Sequence, residues 1–120
     1  MNTKRTPLPL LATFDAVLPR DERVEQRKLF GNPCGYVNGN MFTSVHQDQW
    51  IVRLPEAQRR TLLGVEGASI FEPMKGRPML EFVRVPTAML ANRRQLKGWV
   101  KRAFEYCSSL PVNEPKRSPK

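Results

Sequence analysis

The sequence predicts an α+β fold: a two-layer α/β arrangement with an antiparallel sheet and helices packed on one of its faces. Three observations carry that prediction. Strand-like segments crowd the middle of the chain, joined by connections too short for parallel crossovers. Asn38-Gly39 stands between two of them, a strong hairpin signal because both positions tolerate positive φ in a type I′ turn. Apolar stripes of helical spacing flank this region on both sides. A chain of 120 residues with 40% apolar content is the size of one domain and can build a core without crosslinks or metal.

Each element has its own signal. Thr6 offers an N-cap hydroxyl and Pro7 fits the first helical position. Leu10, Leu11, Phe14, Val17 and Leu18 then fall on one helical face, and Pro19 ends the helix. Strands are expected near residues 24–30, 35–37 and 40–46. A polar turn at Gln47-Asp48-Gln49 leads into a further strand, Trp50-Ile51-Val52-Arg53-Leu54. Pro55 starts a helix reaching Leu63, which Gly64 and Gly67 break. The chain is extended again over residues 69–85, with Lys75-Gly76-Arg77-Pro78 as a turn or loop, residues 80–85 as a strand and Pro86 closing it. Asn92 caps the last helix, with Gln95 three residues on in the manner of a capping box. Leu96, Trp99, Val100, Ala103, Phe104, Cys107 and Leu110 form its apolar stripe, and Pro111 stops it. This divides the chain into a domain over residues 1–110 and a disordered basic tail over 111–120, too polar and proline-rich to fold.

Twenty basic against eleven acidic residues give a net charge of +9. The tail supplies three positives and one negative, so +7 stays with the body. Such a surplus makes acidic partners, nucleic acid among them, worth testing. No run of apolar residues is long enough for a transmembrane helix, and the first twenty residues are broken by Pro7, Pro9 and Pro19, so neither membrane insertion nor secretion is expected. Cys34 and Cys107 lie far apart without CxxC spacing and read as reduced thiols of a cytoplasmic protein.

Catalytic constellations are missing from the pattern. His46 is the single histidine, which leaves a Cys34/His46 pair across the hairpin as the one conceivable nucleophile arrangement. His46 with Asp48 makes no metal set, and the glycines around Phe30-Gly31-Asn32-Pro33-Cys34-Gly35 match no phosphate loop. They read instead as a bulge or tight bend. Glu66, Glu72 and Glu81 form no acid/base pair. No catalytic residue, metal site or cofactor is assigned, and the chain is read as non-enzymatic. Two basic features remain. Lys75-Gly76-Arg77-Pro78-Met79 could present Lys75 and Arg77 to phosphate or to an acidic patch, but Gly76 and Pro78 make it mainly a structural turn, with Met79 packing under the sheet. Arg93, Arg94, Lys97, Lys101 and Arg102 on the final helix form a candidate nucleic-acid-binding stripe of salt-sensitive, sequence-independent kind. Tyr36, Trp50, Trp99 and most phenylalanines fall at expected core positions, which leaves no stacking platform for single strands.

Two segments go further. Arg27-Lys28-Leu29-Phe30-Gly31, running on to Gly35-Tyr36-Val37-Asn38-Gly39-Asn40-Met41, and Lys75-Gly76-Arg77-Pro78-Met79 together resemble the N-terminal domain of the TfoX/Sxy family. The resemblance spans roughly residues 24–110. Within it Lys28, Phe30, Gly31, Gly35, Asn38, Gly39, Gly76, Arg77, Pro78 and Met79 are family motif positions, mainly structural. It implies a two-layer α/β domain of bacterial regulators, which in full-length members carries a second, helical domain and acts on competence genes with the cyclic-AMP receptor protein. The expectation for this chain is a stand-alone N-terminal-like domain. It would act through a protein partner or as a homodimer, in transcription or competence regulation. Direct nucleic-acid binding through the final helix is the alternative.

Overall fold

The computed structural model describes residues 8–29, 32–46 and 48–112. Helix α1 (Leu8–Val17) is followed by four strands, β1 (Glu25–Leu29), β2 (Asn32–Val37), β3 (Asn40–His46) and β4 (Gln49–Arg53). Helix α2 (Glu56–Leu63) leads to β5 (Ser69–Met74) and β6 (Arg77–Arg84), and a 3-10 turn over Thr87–Ala91 leads to α3 (Arg93–Ser108). The six strands form one antiparallel sheet in the order β1-β2-β3-β4-β6-β5. The predicted fold class therefore holds. Thr6 and Pro7, expected to open α1, and Phe30 and Gly31, expected at the end of a strand and in a bulge or bend, lie outside the described residues, as does most of the expected tail.

Two strand boundaries differ from the sequence reading by three residues, and one element was not expected. Strand β2 begins at Asn32 rather than Gly35, because Leu29 pairs directly with Asn32 across a two-residue connection. Strand β6 begins at Arg77 rather than Leu80, since the turn is only Lys75-Gly76, with Met74 opposite Arg77 and Gly76 at φ +81°. The 3-10 turn between Pro86 and Asn92 carries Met89 into the core and had no periodic signal to announce it. The swap of β5 and β6 in sheet order also has a physical cause. Strand β6 supplies buried Phe82 and Val83, which suit an inner position, whereas β5 carries Pro73 and two register shifts, tolerated at an edge.

The main core lies between the sheet and the helices. Phe14 and Val17 from α1, Leu62 from α2 and Leu96, Val100, Ala103, Phe104 and Cys107 from α3 pack onto Val37, Phe42, Val45, Trp50, Val52 and Val83. The Trp50 indole donates to Thr43 Oγ1 at 2.9 Å, and that hydroxyl donates to the Ile51 carbonyl at 2.8 Å, so the polar atoms at the centre of the core are paired. Phe14 lies against Trp50 with ring centroids 5.5 Å apart. A smaller cluster of Ile51, Phe71 and Phe82, with Met41 and Met79 against it, stands apart from this core.

The hairpin of β2 and β3 is where local sequence and packing meet. Asn38 (φ 55°) and Gly39 (φ 76°) make the expected turn. Register then shifts between Gly35 and Tyr36: Gly35 faces Thr43 while Tyr36 faces Met41, which leaves Phe42 as the extra residue of a β-bulge on β3. A side chain at Gly35 would meet the Phe42 ring at 3.0 Å and Leu18 at 3.1 Å. Glycine favours this close approach, since a side chain would push Phe42 or Leu18 aside, and the irregularity expected within residues 30–35 is found instead on β3. The Phe42 ring crosses to Phe104 of α3, edge to face at 5.5 Å. Replacing Gly35 by Val is expected to cost about 1–3 kcal/mol by overpacking, read by urea denaturation. Gly98→Ala, on an exposed turn of α3 with nothing within 4 Å, is expected to add roughly 0.5–1 kcal/mol.

Candidate functional site

Two surfaces gather the residues that sequence reasoning singled out. The first is the ribbon of β5 and β6. Strand β4 pairs with β6 only at Phe82, Val83 and Arg84, so from Arg77 to Leu80 strand β6 has only β5 beside it. The result is a two-stranded arm reaching past the sheet. Residues 72–78 and Leu80 are exposed, and Met79 alone turns inward, against the Ile51–Phe71–Phe82 cluster. Four large apolar side chains stand exposed among the described residues; Leu8 and Val112 flank the described segment's ends, and Met74 (64%) and Leu80 (66%) are both on this arm. Lys75 and Arg77 sit between them in sequence, and the Glu72 carboxylate accepts the Gly76 N–H, holding the tip. Pro73 and Pro78 supply no N–H where the ladder is broken, which blunts the open edges against strand addition. Contacts made here would therefore be side-chain contacts. Arg77 and Pro78, expected in the turn, lie in the strand, and Met79 packs as predicted.

The second surface is the solvent side of α3. The Asn92 carboxamide accepts the Gln95 N–H at 3.1 Å, the predicted cap. Residues of an α-helix follow one another at about 100°, so Arg93, Lys97 and Lys101 rise in one line with Arg94 beside them. Arg102 falls on the other flank, where its guanidinium lies 4.5 Å from the Trp99 ring centroid. The five-residue stripe of the sequence reading is thus four residues plus one that is turned away, because Trp99 bounds the apolar stripe on that side.

Opposite Lys97 and Lys101, the loop after α1 forms the second wall of a cleft of about 520 Å³. Val17, Pro19, Arg20, Asp21, Arg23, Lys97, Lys101, Phe104, Glu105 and Ser108 line it, and it is open to solvent on one side. Arg23 is fixed there: Nε and Nη2 each donate to the Asp21 carboxylate at 2.9 Å, and its guanidinium carbon lies 5.1 Å from the Phe104 ring centroid. Asp21 Oδ1 also accepts the Arg23 backbone N–H at 2.9 Å. These hydrogen bonds from Arg23 hold the Asp21 carboxyl down to about 2. Arg20 and Arg23 were not picked out from the sequence, since nothing local signals that the loop returns over α3.

The remaining candidates resolve as packing. Asn38 donates to the Ser108 carbonyl at 3.0 Å, and Asn40 donates to the Pro111 carbonyl at 3.2 Å, so the hairpin tip satisfies the end of α3. Lys28 is exposed on β1 opposite Pro33. Tyr36, expected in the core, is only half-buried, with the Arg27 guanidinium 4.5 Å over its ring. Both cysteines are buried. Cys34 is directly opposite Ser44, 3.4 Å from Sγ to Oγ, while His46 lies edge-on to Phe71 at 5.7 Å. Burial pushes the Cys107 thiol up to about 11, so it stays protonated at neutral pH. Among the described residues no group of three or more His, Cys, Asp or Glu could hold a metal ion, and no helix is long and apolar enough to cross a membrane.

Because the folded-state value for Asp21 is depressed, its pairing with Arg23 contributes fully above the ordinary value of 3.8 and is lost as pH falls through about 2. An NMR titration of the side-chain carboxyl should find its midpoint near the lower value, and Arg23→Ala should return it toward the upper one.

No curated protein matches the chain. The family model of the TfoX N-terminal domain matches residues 16–106, from the end of α1 to the last turn of α3, and so takes in the whole β5–β6 arm and every cleft-lining residue except Ser108. With most of its length inside that match, the chain belongs to the TfoX N-terminal domain family.

Proposed function

We propose that this domain is a non-enzymatic bacterial regulatory module of the cytoplasm that acts by holding a protein partner on the β5–β6 arm. The observation that carries the reading is the pair of exposed apolar side chains, Met74 and Leu80, on a two-stranded ribbon that extends beyond the sheet. Exposing them costs solubility without serving the core, so a partner that covers them supplies the reason for their presence. Lys75 and Arg77 select the partner: an apolar protein surface rimmed by carboxylates. Family membership directs the reading to regulation, with transcription or competence control as the setting that the resemblance implies.

A photocrosslinking residue placed at Leu80 in the full chain is expected to trap one partner protein, and Met74→Ser with Arg77→Glu to abolish the product. A crosslinker at Arg94 is expected to trap none of it. Equal trapping at both positions, or a product indifferent to the double change, refutes the arm as the docking surface. Sedimentation velocity of the same variants separates a second copy of this chain from a different protein.

A second reading, direct nucleic-acid contact, is favoured by the unbroken line of Arg93, Arg94, Lys97 and Lys101. It predicts micromolar binding of random duplex DNA that weakens by orders of magnitude between about 50 and 200 mM salt, measured by fluorescence anisotropy. Arg94→Glu should reduce the salt slope by about one counterion. A flat salt profile sinks it.

A further inference from the structure

We infer that the cleft between the loop after α1 and helix α3 is a binding site for a small phosphate monoester carrying an aromatic or apolar group. This is separate from the partner surface on the arm. Its volume, about 520 Å³, falls in the range of small-molecule sites. Its lining divides into two chemistries. Val17, Pro19 and Phe104 provide an apolar floor, and Arg20, Arg23, Lys97 and Lys101 provide cations on two facing walls. Against these stand Asp21 and Glu105, leaving the lining at +2, a match for a dianion.

The cations are not equivalent. Asp21 is committed to Arg23, which its two hydrogen bonds and the Phe104 ring hold in place before any ligand arrives. That pairing uses Nε and Nη2 and leaves the N–H groups of Nη1 without a partner among the described residues. Arg20, Lys97 and Lys101 take part in no ion pair among the described residues. A planar carboxylate would engage a single guanidinium edge, whereas the cations here stand on two facing walls and the lining carries a net +2. Donors arriving separately from two walls suit the three oxygens of a phosphate instead. Lys97, Lys101, Glu105 and Ser108 follow one another along successive turns of α3, so a ligand with its phosphate at the lysines would extend its uncharged end toward Glu105 and Ser108. A hydroxyl or amine at that end would have an acceptor in the Glu105 carboxylate.

The test is an NMR titration of the full chain with phenyl phosphate, beside inorganic phosphate and phenol. Phenyl phosphate should shift the signals of residues 20–23 and 97–108 saturably, with millimolar affinity or better, and should bind more tightly than either fragment. Arg20→Gln and Lys101→Gln, both at exposed positions, should each weaken it about tenfold, the loss of one charge-assisted hydrogen bond. Arg94→Gln, on the same helix outside the cleft, should leave it unchanged. Absence of saturable shifts overturns the site, as does a loss from Arg94→Gln equal to that from Lys101→Gln. Displacement of phenyl phosphate by short duplex DNA of tighter, steeply salt-dependent affinity would likewise overturn it, by assigning these cations to a polyanion.

Discussion

The seat of Phe42 across Gly35 is the contact on which the remaining architecture rests. One extra residue on β3 turns the ring toward the helices, and the absence of a side chain at position 35 leaves room for it. From there it meets Phe104 of α3 and sits beside Leu18 at the end of α1. A single bulge thus fixes two strands and two helices relative to one another. Phe104 in turn forms the floor on which Arg23 lies, so the geometry of the basic cleft is inherited from a backbone irregularity in the sheet beneath it. Buried aromatic contacts of this kind combine large apolar area with a preferred geometry, which is why they set orientation as well as stability.

Helix α3 carries two roles that do not compete, because they use different sides of it. Its apolar stripe completes the core, and the carbonyls at its end are taken up by Asn38 and by Asn40 just beyond. Its basic side is left free of structural duty. The β5–β6 arm shows the opposite economy. Its base is bound into the sheet through β4 and into the small cluster through Met79, while its tip is supported only by itself, through Glu72 and Gly76. The ion pairs of this protein add little to this account: Arg23–Asp21, Arg27–Glu25 and Arg60–Glu56 are largely exposed, and such pairs are weak and screened by salt. What the Arg23 pair does contribute is position.

Placing an arm and a cleft on opposite features of one small domain suits a regulator. A protein held on the arm and a small anion held against α3 need not exclude each other, and the sheet and core between them are continuous. The edge-to-face contact of Phe42 with Phe104 joins the sheet to α3 along that connection.

The sequence by itself determined the fold class, the family, the Asn38-Gly39 turn, the Asn92 cap and the apolar stripe of α3. These are local matters: backbone angles, capping geometry and periodicity depend on neighbours a few residues away. It also placed a turn within residues 75–78, of which Lys75-Gly76 form it, and an irregularity near Gly35, which falls on Phe42 of the neighbouring strand. Only the tertiary structure decided that β6 lies inside β5, that Tyr36 rests under Arg27 outside the main core, and that Arg20 and Arg23 face Lys97 and Lys101. Each of these depends on which segments, more than 70 residues apart in the case of the cleft, come to share a surface. Long-range juxtaposition leaves no periodic trace in a single chain, since a solvent-facing arginine has the same local pattern whether or not another element returns to meet it.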